Sequence, residues 1–126
     1  MPVYSQSPQW QATTPEINAK RAQALAMVQG QKGIHVAFTL PSLPHDDANG
    51  VPGGVPADSL AVVTSAIDAG VKVSHVNLMT MDFYGNYGEK TMAEKSISAV
   101  VDCKAQLQGA IPGLSDEAAY ALLGAT

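Results

Sequence analysis

Only two segments of the chain read as β-strands, and both are apolar on their two sides. Residues 34–40 (Ile34, His35, Val36, Ala37, Phe38, Thr39, Leu40) alternate and are rich in β-branched side chains. Residues 73–82 form the longest continuous apolar run, with Val76, Leu78 and Thr80 on one side and Asn77, Met79 and Met81 on the other. Such strands suit a parallel sheet covered on both faces. Two strands are too few for a stable isolated sheet, and a doubly wound domain of this length would carry about four or five. The chain therefore reads as a piece of a larger α/β fold.

Helical signals fill the intervals. Thr13 or Thr14 can cap a helix that begins Pro15-Glu16, with Ile17, Arg21, Ala24, Leu25 and Val28 on one side and Gly30 and Gly33 at its end. Residues 44–56 are a Pro- and Gly-rich loop. Asp58 can cap a second helix with Leu60, Val63 and Ile67 on its apolar face, and Gly70 suits a left-handed C-cap. After a Gly/Tyr/Asn loop from Phe83 to Lys90, Thr91 and Glu94 make a capping box. The third helix would bury Ala93, Ile97, Val100 and Leu107 until Pro112 and Gly113 break it. Ser115 starts a short last helix through Leu123, closed by Gly124. Residues 1–14 read as an N-terminal arm and 15–126 as one domain of βα units with right-handed crossovers.

Composition narrows the function. Charged residues make up 14% of the 126, against about 25% in an average soluble domain, so much of the chain expects burial. The net charge of −4 and the absence of a Lys/Arg cluster argue against nucleic-acid binding. No apolar run approaches the ~18 residues of a membrane span. Met1 to Gln6 shows neither the basic nor the apolar region of a signal peptide. A lone Cys103 excludes an internal disulfide framework and a multi-cysteine metal site. No cofactor is implied.

Three stretches carry a family resemblance. Val76-Asn77-Leu78-Met79-Thr80-Met81-Asp82-Phe83-Tyr84-Gly85 resembles the sixth barrel strand of glycoside hydrolase family 18, the chitinases. Residues 18–25 resemble the helix before the fifth strand in the bacterial branch, and residues 36–44 resemble the fifth strand and its exit. The likeness runs from about residue 15 to the C-terminus. It implies part, about half, of a (β/α)₈ TIM barrel whose site lies at the carboxyl ends of the strands. It also implies chitin or a chitooligosaccharide as substrate, and an extracellular location. Hydrolysis in that family is substrate-assisted, the 2-acetamido group of the sugar attacking the anomeric carbon. Asp82 would then help orient the acetamido group, and Met79 and Met81 would line the barrel interior beneath the sugar. Many members carry Tyr where Met81 stands, and Phe83 intervenes here before Tyr84. The family's catalytic acid ends an Asp-x-x-Asp-x-Asp-x-Glu string on the fourth strand, and no such string occurs in this sequence. The resemblance thus implies a chain inactive on its own.

Other residues weigh less. Tyr84 and Tyr87 are candidates to stack on sugar rings, whereas Trp10 reads as an arm anchor. His35, His75 and Asn77 read as structural strand residues, and His45-Asp46-Asp47 as solvated loop. Gly50-Val51-Pro52-Gly53-Gly54 lacks the Lys-Ser/Thr of a phosphate loop. Cys103 reads as a buried, inert thiol. Two other functions stay open. The chain could be a self-associating structural half-barrel, a homo-oligomer or weak glycan-binding module without catalysis, or an unrelated small α/β enzyme using Asp82 and His75.

Overall fold

The computed structural model describes residues 14–83, 87 and 89–126. The N-terminal arm, apart from Thr14, lies outside them. In chain order the elements are α1 (Pro15–Lys32), β1 (Val36–Pro41), α2 (Ala57–Asp68), β2 (Val73–Met79), α3 (Met92–Ala110), α4 (Asp116–Leu122) and β3 (Leu123–Ala125). The three strands form one parallel sheet in the order β1-β2-β3. The architecture is α/β, as expected, with one strand more than the sequence suggested. β3 escapes a pattern search because it has three residues, one of them Gly124, and follows α4 without a turn.

Local signals fix the helix ends. Thr14 Oγ1 accepts from the Ile17 N–H at 3.3 Å, and Gly33 closes α1 at φ 64°. Its N–H donates to the Gln29 carbonyl at 2.8 Å, an arrangement that strains any side chain but costs glycine nothing. Gly30 stays inside the helix. Thr91 and Glu94 form the reciprocal capping box, and Ser115 caps α4. Pro56, not Asp58, occupies the N-cap of α2. Asp58 sits in the first turn, where its charge still favours the positive end of the helix dipole.

The core lies between one face of the sheet and the helices. Leu40 of β1 and Val76 and Leu78 of β2 pack with Val63 of α2 and with Cys103 and Leu107 of α3. Val36 packs with Ala66 and Val71, against which Leu25 and Ala26 of α1 rest. The register pairs Phe38 with Val76 and Leu40 with Leu78, so these residues share the helix-facing side. The opposite side is not covered as the sequence led us to expect. There Ala37, Thr39 and Pro41 are exposed and Asn77 and Met79 only half-buried.

Two helices also turn from the faces their sequences suggest. In α1 the buried residues are Asn18 and Ala22, not Ile17, Ala24 and Val28. In α3 Leu107 is buried and Val100 packs against the core as expected, together with Ala99 and Cys103, while Ala93 and Ile97 are exposed. Ala22, Ala99 and Cys103 take their positions because small side chains let a helix approach its neighbours closely. Gln29 then ties the end of α1 to both strand entrances. Its Nε2 donates to the Ile34 carbonyl at 3.1 Å and the Lys72 carbonyl at 2.9 Å, and its Oε1 accepts from the Lys72 N–H at 2.8 Å.

Leu78 is fully buried at the centre of this core. Leu78→Ala is expected to cost about 2–5 kcal/mol in urea denaturation. Burial also pushes the Cys103 thiol up to about 11. The folded chain holds that proton more tightly than the unfolded one, so this contribution is intact at neutral pH and is lost as pH rises above the ordinary thiol range. Cys103 should resist thiol reagents at neutral pH and react only on unfolding.

Candidate functional site

Parallel strands bring their carboxyl ends to one side of the sheet, where Pro41 is paired with Met79 and Leu78 with Ala125. The end of β2 is tethered from both neighbours. Ser42 Oγ donates to the Met79 carbonyl at 2.8 Å. On the other flank the Thr126 N–H donates to the Leu78 carbonyl, and the Thr80 N–H to the Thr126 carbonyl, both at 2.8 Å. Thr80 Oγ1 adds a bond to that carbonyl at 2.9 Å, and Asn77 Nδ2 donates to Thr126 Oγ1 at 2.6 Å. Asn77 is therefore a structural donor on the open face, as read from the sequence.

Asp82 stands just beyond. At φ 52° it is the one non-glycine in the left-handed region among the described residues, and it is exposed. Aspartate tolerates that region better than most residues, but the conformation persists only where its surroundings impose it. Met81 beside it is 41% exposed, and Met79 is half-buried on the strand. Met79, Met81 and Asp82 thus stand together at the carboxyl end of the central strand. Tyr87 lies apart, half-buried with the Lys95 ammonium 5.9 Å from its ring centre. Tyr84 and Trp10 lie outside the described residues.

His75 does not join Asp82. It sits four residues before the end of β2, about 13 Å back along the strand. Its ring lies against Gly124, where a Cβ would collide with it. His35 is exposed at the strand entrances, with Nδ1 3.4 Å from Ser74 Oγ. Among the described residues no group of three or more His, Cys, Asp or Glu side chains is placed to hold a metal ion.

The loop after β1 is far more ordered than its composition suggested. It folds back on itself through bridges between Leu43 and Gly54 and between Asp46 and Val51. The side-chain amide of Asn49 donates to Asp46 at 2.8 Å and, with the Asn49 N–H, holds that carboxyl below its ordinary range. Helix α3 then clamps the loop. Asp102 Oδ2 accepts from His45 Nδ1 at 2.8 Å and from the Gly53 N–H at 2.6 Å. Gln106 accepts from the Val55 N–H at 2.9 Å and donates to the Val55 carbonyl at 2.8 Å. Ser98 Oγ accepts from the His45 N–H at 3.0 Å, and Lys90 Nζ reaches the His45 carbonyl at 2.6 Å and Asp47 at 3.1 Å. His45 and Asp47 are therefore partners in a clamp and not merely solvated. Sequence could not reveal it, because Asp102 lies 57 residues from His45.

The glycines of this loop have a steric reason. A Cβ on Gly53 would run into the Leu43 carbonyl oxygen and stand 2.5 Å from the Pro44 carbonyl carbon. Gly54 takes φ 90° and passes so near α3 that a Cβ would lie 3.0 Å from the Cys103 nitrogen. The Gly53 N–H is already held by the Asp102 carboxylate, which supports rejecting a phosphate loop.

Comparison with known proteins bears on this geometry. No protein-family model matches the chain. A probable bifunctional chitinase/lysozyme of Escherichia coli is 32% identical over 103 residues, covering 75% of this chain and 10% of that protein. Endochitinase 11 of Metarhizium anisopliae is 31% identical over 130 residues, covering 93% of this chain and 23% of the relative. Among solved structures, the catalytic domain of a hyperthermophilic chitinase from Pyrococcus furiosus superposes with a TM-score of 0.70 at 30% identity. That match covers 86% of this chain and 33% of the other. A catalytic-site mutant of a Pyrococcus furiosus chitinase in complex with chito-oligosaccharides gives 0.69 at 31% identity. The chain resembles a segment of a chitinase catalytic domain. This chitinase-like segment spans only a third of the solved domains and a smaller share of the curated relatives.

The backbone at Asp82 can be tested apart from any ligand. Left-handed geometry costs an L-residue roughly 1–2 kcal/mol, and β-branching makes it worse. Asp82→Gly should leave stability within about 1 kcal/mol of the parent, because glycine's freedom offsets its own entropy cost. Asp82→Val should fall below both in urea denaturation. Equal stability of the Gly and Val variants would show that φ at this position is not imposed.

Proposed function

We propose that the chain is the part of a chitinase-like (β/α)₈ barrel around its fifth and sixth strands, here β1 and β2. In this reading it supplies one wall of a site for chitin or chito-oligosaccharides outside the cell. The observation that carries it is Asp82, held in a left-handed backbone at the carboxyl end of the central strand. The fold around it superposes on a chitinase known with chito-oligosaccharides bound.

The chemistry rests on the capacities of each group. An exposed carboxylate at position 82 accepts the N–H of a 2-acetamido group and turns its carbonyl oxygen towards the anomeric carbon. Met79 and Met81 give the sugar's apolar face a soft floor, and Tyr84, the next tyrosine in the sequence, is the aromatic candidate to stack on it. Met81 donates no hydrogen bond, so acetamido orientation falls more heavily on Asp82. Protonation of the leaving oxygen needs a general acid, worth about 10²–10⁴-fold in rate. The sequence has no Asp-x-x-Asp-x-Asp-x-Glu string to supply one. The chain alone binds sugar weakly and does not turn it over.

Titration calorimetry with chitopentaose tests both halves of this reading. Weak binding is expected, with Asp82→Ala reducing affinity by about tenfold or more, as loss of a charge-assisted hydrogen bond implies. Reducing-sugar release should stay at background. Binding unaffected by Asp82→Ala would remove that residue from the site, and turnover near that of a complete chitinase would overturn the inactivity.

A further inference from the structure

The sequence holds a single Asn-Gly pair, Asn49-Gly50, and the structure sets it at the tip of the loop after β1. Two backbone bonds close the turn beneath it. The Asp46 N–H donates to the Val51 carbonyl at 2.9 Å, and the Val51 N–H to the Asp46 carbonyl at 3.0 Å. Both tip residues are exposed. Gly50 takes φ 63°, and a Cβ built on it would meet nothing within 4 Å. Its nitrogen has no side chain to shield it, and it makes no backbone hydrogen bond among the described residues.

We propose that Asn49 is a site of spontaneous deamidation and that the Asp46 side chain sets its rate. The reaction needs only the two tip residues and water. The Gly50 backbone nitrogen gives its proton to hydroxide or water and attacks Cγ of Asn49. A C–N bond forms, the Cγ–Nδ2 bond breaks, and Nδ2 leaves as ammonia after taking a proton from solvent. Water then opens the resulting succinimide at either of its carbonyls, giving aspartate or isoaspartate. Water is consumed and ammonia released, with nothing oxidised or reduced.

Asp46 opposes that reaction by geometry. Its Oδ2 accepts from Asn49 Nδ2 at 2.8 Å and its Oδ1 from the Asn49 N–H at 3.2 Å. The nitrogen that must leave is thus tied back towards the start of the turn, whereas attack requires the amide to swing towards Gly50. The Asn49 amide in turn holds the Asp46 carboxyl below its ordinary range, so the restraint stays charged at neutral and alkaline pH, where Gly50 gives up its proton most readily. Reactants and restraint all lie within residues 46–51, whatever surrounds the loop. The other asparagines are placed differently. Asn18 is buried in α1 and Asn77 lies in β2, where helix and sheet ladders hold the backbone. Asn86 lies outside the described residues, and all three precede a residue with a side chain. Conversion sets a new carboxylate beside Asp46 and Asp47, and isoaspartate also lengthens the backbone at the tip. The bonds from α3 to His45, Gly53 and Val55 confine the change to the turn.

Warm incubation of the chain at mildly alkaline pH, followed by peptide mapping and isoaspartyl methyltransferase labelling, should find Asn49 converted before Asn18, Asn77 or Asn86. Asp46→Ala should speed the conversion about two- to tenfold, as loss of one hydrogen bond implies, with circular dichroism unchanged. Asn49→Gln should remove the product, because the longer side chain closes a less favourable ring. Should Asp46→Ala disturb the loop, the parent chain in guanidinium chloride supplies the comparison. Unfolding releases the same restraint, so conversion should be faster there than in the folded chain by a similar factor. Conversion that begins at another asparagine overturns the proposal. So does a folded parent that converts as fast as Asp46→Ala or as the unfolded chain.

Discussion

The fold is organised around β2. Its helix-facing side chains, Val76 and Leu78, are almost wholly removed from water and meet α2 and α3 together. Among the described strands, its backbone alone is hydrogen-bonded on both sides, to β1 and to β3. A strand in that position sets the height and tilt of both neighbours. It also aims the residue just past its carboxyl end, Asp82. The apolar contacts behind the strand and the polar tethers beyond it act on the same few residues. Rigidity in the core is thereby passed to the end of the strand, where Asp82 stands.

The same strand explains why one side of the sheet is left open. In the solved chitinase domains this chain matches only a third of the structure. A sheet of three parallel strands with helices on one side gives its other side no internal cover. Met79, Asn77 and Thr39 show the result: an apolar-to-polar floor facing outward where a closed fold would face inward.

How much of this was legible from residues alone depended on distance along the chain. Three of the four helix N-caps were readable because they are decided within four residues: Thr14, the Thr91–Glu94 box and Ser115 act as their spacing implies, whereas Asp58 lies in the first turn of α2 and not at its cap. The two longer strands were readable because β-branched alternation is local. The buried faces of α1 and α3 were not. Both helices carry apolar residues on more than one side, and the side chosen depends on Ala22, Ala99 and Cys103 fitting against neighbours. β3 was too short to announce itself. Asp82 was found through family likeness; its unusual backbone, the property that sets it apart physically, has no sequence signal, since aspartate is common in many conformations.

The clamp between α3 and the loop after β1 has an evolutionary corollary. In α/β folds the loops at the carboxyl ends of parallel strands vary most freely, which lets one scaffold host many functions. Here the loop's shape is written partly in another helix, through Ser98, Asp102 and Gln106. Lengthening or exchanging the loop alone would strand the Asp102 carboxylate and the Gln106 amide without their partners. Loop and helix must therefore change as one inherited module, and a graft between homologues should carry residues 43–55 and 98–106 together.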